Sequence, residues 1–113
     1  MKQVDKISLA ELEEMSKNMF DQLVKAVVDI ERKVIVVDAE MHYDEEQFLL
    51  EDGSKQIDLW GINLYPAKYG TADFIEYDSM INIRPNHNNR TRGVEDPDLR
   101  KRIEVIVAET VHE

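Results

Sequence analysis

Residues 24 to 37 hold eight β-branched residues, and only Glu31-Arg32-Lys33 separates Val24 to Ile30 from Val34 to Val37. Side chains of this type fit a pleated, half-buried surface, so the two runs read as strands closed into a hairpin. The turn contains no Gly or Asn to set its register. A second pair follows at Ile57 to Tyr65 and Phe74 to Arg84, each run stopped by a proline, Pro66 and Pro85, with Ala67 to Asp73 as the connection. In its second strand Ile75, Tyr77, Ile81 and Ile83 share one face by alternation, and Glu76, Asp78, Asn82 and Arg84 share the other. Two hairpins commit the chain to an antiparallel sheet.

Helices punctuate the hairpins. Ser8 and Glu11 form a capping-box pattern before Leu9, Leu12, Met15, Met19 and Leu23, which recur at helical spacing. Asp44 with Gln47 repeats the capping logic for a second helix of two turns at most, which ends at Asp52-Gly53. Asp96-Pro97 starts a third, whose buried stripe is Leu99, Ile103, Ile106, Val107 and Val111. The expected fold is α+β in the order αββαββα, a four-stranded antiparallel sheet with helices packed mainly on one face. At 113 residues a single domain spanning residues 1–113 is the default.

The net charge of -10 weighs against general nucleic-acid binding, which needs a basic stripe along the phosphates. Its distribution is uneven: residues 1–83 hold 8 Lys/Arg against 18 Asp/Glu, whereas residues 84–113 hold 6 against 6. No apolar run has the length of a membrane span and no signal peptide opens the chain, so a cytoplasmic location without membrane association is expected. With no cysteine, a disulfide framework and thiolate metal sites are excluded.

The basic residues gather before the last helix. Arg84-Pro85-Asn86-His87-Asn88-Asn89-Arg90-Thr91-Arg92-Gly93 contains no acid. Guanidinium groups hold carboxylate or phosphate bidentately, and a loop lets several converge, so Arg84, Arg90 and Arg92 with Asn86, His87, Asn88 and Asn89 form a candidate anion site. The plain alternative is that these arginines pair with surface carboxylates or cap the helix. Asp58, Trp60 and Asn63 interrupt an apolar strand beside Asp78 and Asn82, and they either join that site or line a solvated sheet face. Glu40, His42 and Asp44 alternate and would present three metal ligands on an extended segment, yet Asp44 reads better as a cap, and no metal or other cofactor is expected. No nucleophile motif or phosphate-cradling glycine loop accompanies His42 or His87.

The blocks Asp58-Leu59-Trp60-Gly61-Ile62-Asn63-Leu64-Tyr65-Pro66, Asp78-Ser79-Met80-Ile81-Asn82-Ile83-Arg84-Pro85 and Asn89-Arg90-Thr91-Arg92-Gly93-Val94-Glu95-Asp96-Pro97 resemble an uncharacterised family of short prokaryotic proteins, a domain of unknown function, over nearly the whole chain. The resemblance implies a compact domain with this element order and carries no activity or catalytic residue. On the residues themselves, the leading expectation is a module that binds a small anionic ligand or acidic segment through the arginine loop. A phosphate-ester hydrolase or nuclease using His87 as acid/base is one alternative. An interaction protein that pairs with a basic partner is the other.

Overall fold

The computed structural model describes residues 1–19 and 21–113. The strands are β1 (Lys2–Val4), β2 (Ile7–Ser8), β3 (Val24–Asp29), β4 (Val34–Val37), β5 (Leu59–Leu64), β6 (Ile75–Glu76) and β7 (Val111–His112), and the helices are α1 (Leu9–Ser16), α2 (His42–Glu51) and α3 (Pro97–Thr110). Among the described residues five strands make one antiparallel sheet in the order β1-β4-β3-β5-β6, while β2 and β7 pair in parallel beside it. Single 3₁₀ turns at Gln56–Asp58, Pro66–Lys68, Met80–Asn82 and Pro85–His87 fill the connections.

The first hairpin forms as the β-branched pattern demands, and Asp29 supplies the missing turn chemistry. Its Oδ1 accepts from the backbone of Glu31 and Arg32 at 2.9 Å, its carbonyl accepts from Lys33, and Lys33 takes the left-handed conformation that closes the turn. Two of the three expected caps form, those of Ser8 and Asp96, whereas Asp44 lies inside the first turn of α2 and caps nothing, because that helix begins after Met41 with no side-chain cap. Ser8 Oγ accepts from Glu11 N at 3.1 Å, although the Glu11 carboxylate turns to Lys2 instead of completing a capping box. Asp96 accepts from Asp98 N, with Pro97 in the first turn of α3.

The two faces of the sheet differ. Val24, Ala26, Val28, Ile35, Val37, Ile62 and Leu64 pack with Leu12 of α1 and Ile103, Ile106 and Val107 of α3, which makes the larger core. Val27, Val36 and Leu59 face the other way and meet Leu49 of α2. Among the described residues two of the three helices, α1 and α3, share one face, and α2 covers the opposite one. It starts at Met41, before Asp44, and its inward stripe at i, i+3, i+4 and i+7 is His42, Glu45, Glu46 and Leu49. Three polar groups on a buried face conceal it from a hydrophobicity pattern.

The four-strand count and the αββαββα order are corrected. Two short strands, β1 and β7, have no propensity signature and form because partners are present. The strand expected from Phe74 to Arg84 stops at Glu76, after which the chain crosses β5 as turns. There Asn82, Arg84 and Ser79 are buried while Ile83 and Met80 are 38% and 66% exposed, the reverse of the alternation. The reason is a substitution of side chain for strand. Asn82 Oδ1 accepts from Gly61 N at 2.8 Å and its Nδ2 donates to Gly61 O at 2.9 Å, so one amide completes the ladder of β5 where β6 has ended. Gly61 permits the approach, because a Cβ there would lie 2.6 Å from Ser79 Cβ and Oγ. α1 likewise ends at Ser16, so Met19 and Leu23 lie beyond the helix.

Candidate functional site

The register β3-β5-β6 puts Lys25 opposite Asn63 and Asn63 opposite Glu76, a row of three polar residues on the face toward α2. This row floors a cleft of about 460 Å³, with His42 on one wall and Tyr65, Asp78, Ser79 and Arg92 on the others. Asn63 is 5% exposed. Its Nδ2 donates to Glu76 Oε1 at 2.8 Å and to Asp78 O at 3.3 Å, which fixes the amide's orientation and leaves its buried Oδ1 without a partner. The Tyr65 hydroxyl donates to the same Glu76 oxygen at 3.1 Å. Arg92 is anchored through its carbonyl, which accepts from Ser79 N and from Asn82 Nδ2, and its Nε meets Asp78 Oδ1 at 2.6 Å.

His42 donates from Nε2 to Ile62 O at 2.8 Å, since a carbonyl can only accept. Burial pushes the His42 pKa down, an effect only partly offset by that carbonyl, the neighbouring Asn63 side chain and the Asp78 charge, and the ring is neutral near pH 7. A neutral ring bonded through Nε2–H keeps Nδ1 as an acceptor. The cleft wall thus carries two neutral acceptors, His42 Nδ1 and Asn63 Oδ1, beside the carboxylates of Glu76 and Asp78. Lys25 and Arg92 are its cations, and Arg92 is neutralised by Asp78; with Glu76 and Asp21 at the lining, the balance is acidic by one charge.

The arginine loop is divided among different tasks. Arg84 is buried: it donates to Leu59 O, lies 4.7 Å from the centre of the Trp60 ring and pairs with Glu46 at 3.6 Å. Burial lowers the Arg84 pKa and raises that of Glu46, and each charge partly offsets the shift of the other. Asn89 is the loop's hub, with Nδ2 donating to Asn82 O, Thr91 O and Gly93 O and Oδ1 accepting from Glu95 N. Asn82, Arg84, Asn89 and the core residue Trp60 therefore build the fold, whereas Asn86, His87, Asn88 and Arg90 are exposed and do not line the cleft. Asp58 lies near Asp29 and Glu31, at the far end of β5. Of the residues singled out in the sequence, His42, Asn63, Asp78 and Arg92 meet in the cleft. Glu40, His42 and Asp44 do not form a ligand row, because the extended segment ends at Met41 and His42 and Asp44, two apart on α2, point to different sides. Among the described residues no group of three or more His, Asp or Glu is placed to hold a metal ion. Lys25, Tyr65, Glu76 and Ser79 were not apparent as site residues, although Lys25 and Asn63 are both polar interruptions of apolar strands.

A family model described as "Protein of unknown function (DUF5674)" matches residues 3–110. The chain belongs to that family. The match takes in every residue that lines the cleft. Searches of curated proteins and of solved structures return no match. No helix among the described residues is long and apolar enough to cross a membrane.

Proposed function

We propose that the domain is a binding module whose cleft receives a positively charged, hydrogen-bond-donating group such as an ammonium or guanidinium. The observation that carries this reading is the buried, unpartnered Asn63 Oδ1, held in place by Glu76 and Asp78 beside the acceptor nitrogen of a neutral His42. Buried acceptors are stabilised by donors, and Glu76, which takes its hydrogen bonds from the neutral Asn63 and Tyr65, keeps its charge for a ligand. The overall charge of -10 draws cations toward the surface.

A second reading has its own support: Lys25 and Arg92 line the same cleft, and an anionic group would sit between them once Asp78 yields its partner. Calorimetric titration of the whole chain separates the two. Agmatine should bind, the Glu76→Gln variant should lose at least about tenfold in affinity, and succinate and phosphate should give no heat. Binding of succinate or phosphate that Arg92→Ala abolishes would establish the anionic reading instead. Silence from all three compounds would refute both.

A further inference from the structure

The large apolar side chains left in water are not scattered evenly. Of the seven exposed large hydrophobics among the described residues, Met41, Tyr43 and Met80 all border the cleft, at 58%, 56% and 66% exposure. They come from two separate elements. Met41 and Tyr43 flank His42 at the start of α2, and Met80 opens the turn that follows Ser79, with Ile81 half-buried behind it. The cleft, acidic by one charge over its lining, is thus bordered by an apolar lip on the sides of α2 and Met80. A free cation small enough for the cleft would leave that lip in water.

We infer that the occupant is a peptide segment in which a basic side chain is flanked by apolar residues, the basic group entering the cleft and the flanks covering the lip. This rests on the cationic reading of the cleft given above. Three physical arguments converge on it. Methionine is unbranched and polarizable, so Met41 and Met80 adapt to different apolar side chains, and Met and Tyr are enriched where proteins meet. A basic side chain inside an apolar ring that excludes water is the usual arrangement of a binding hot spot, in which arginine is over-represented. The charge of the cleft complements a basic residue and disfavours an acidic one, which supplies specificity beyond the apolar contact. Neighbouring backbone does not compete for the segment, because the edge of β5 is already satisfied by the side chains of Asn82 and Arg84.

Calorimetry with the full chain tests this through four probes: agmatine, acetyl-Gly-Arg-Gly-amide, acetyl-Leu-Arg-Leu-amide and acetyl-Leu-Glu-Leu-amide. The leucine-flanked arginine peptide should bind about tenfold more tightly than the glycine-flanked one, and more weakly as salt is raised. Met80→Ser should erase that advantage without changing agmatine binding. Met80 is mostly exposed, so the variant should fold, and equal melting temperatures will confirm that it does. Equal affinities for the two arginine peptides would overturn the role of the lip while leaving the cleft reading intact. Silence from agmatine and both arginine peptides would remove the cleft reading together with this one. Equal binding of the glutamate peptide would show plain apolar adhesion and overturn the inference. Self-association that vanishes in Met80→Ser would make a second copy of the chain the occupant, which also overturns it.

Discussion

Replacing Asn82 by Ala removes an amide that stands in for a strand. Asn82 is completely buried, and its side chain satisfies Gly61 N, Gly61 O and Arg92 O at 2.8, 2.9 and 2.9 Å. Alanine keeps the backbone and leaves both Gly61 groups without partners, while Arg92 O retains Ser79 N. A buried polar group left unpaired costs ~1–3 kcal/mol, whereas a hydrogen bond exchanged for one to water costs ~1 kcal/mol. If the segment 79–83 continues to shield Gly61, the two Gly61 groups alone make Asn82→Ala cost about 3 kcal/mol, a large share of the ~5–15 kcal/mol stability of a small domain. Asn82→Asp tests the polarity of the contact. Its carboxylate still accepts from Gly61 N but confronts the Gly61 and Arg92 carbonyls, so the loss at neutral pH should be at least as great and should shrink in acid, where a protonated carboxyl donates. Urea denaturation with matched slopes measures both, with the exposed Asn86→Ala as a control expected within ~0.5 kcal/mol of the parent. A loss below ~1 kcal/mol for Asn82→Ala would mean that water reaches the β5 edge, and the account of side chain replacing strand would be wrong.

Three further outcomes follow from single contacts. Burial pushes the Glu45 carboxyl up to about 10, so the folded state holds its proton while the unfolded chain, at the ordinary 4.5, releases it. The stability this proton linkage confers is full below about pH 4.5 and is lost as pH rises toward 10; Glu45→Gln should flatten that slope in pH-dependent urea melts, and parallel curves would refute the assignment. Gly61→Ala should cost ~1–3 kcal/mol by overpacking against Ser79 and be partly rescued by Ser79→Gly, so simple additivity in the double-mutant cycle would count against the contact. Asp96→Ala should cost ~1 kcal/mol through loss of the α3 cap, and an unchanged denaturation midpoint would contradict that role.

What could be read along the chain is what local chemistry decides. Asp96-Pro97, Ser8 and the β-branched run from Val24 to Val37 each specify their element through contacts a few residues apart, and each formed. β1 and β7 could not be read that way, because two or three residues become a strand only beside β4 or β2. The alternation of Ile75, Tyr77, Ile81 and Ile83 misled for a related reason. It assumes that apolar residues are the ones worth burying, yet Asn82 and Arg84 go inward because the edge of β5, some twenty residues earlier, needs donors and an acceptor.

The same ambiguity governs the candidate site, and its resolution has a physical form. A polar residue in a sequence has two states, inward with partners or outward in water, and composition does not separate them. In the arginine loop Asn89 is inward and spends its hydrogen bonds on the loop backbone, and Arg84 is inward against Leu59 O, Glu46 and the Trp60 ring, which is why an asparagine- and arginine-rich stretch without acids need not be an anion site. The residues of interest are those in a third condition, buried but not fully satisfied. Asn63 is one: its two bonds hold Glu76 and the Asp78 backbone in place, and its buried Oδ1 has no donor. Lys25, Asn63 and Glu76 come from strands far apart in sequence and become neighbours only through the β3-β5-β6 register. A pattern of period two along any one strand contains no trace of that row, since its spacing is measured across the sheet. Pairing β5 with β3 is therefore the step that turns three isolated polar residues into one surface, and the ligand preference proposed for that surface rests on the unpartnered acceptor of Asn63 at its centre.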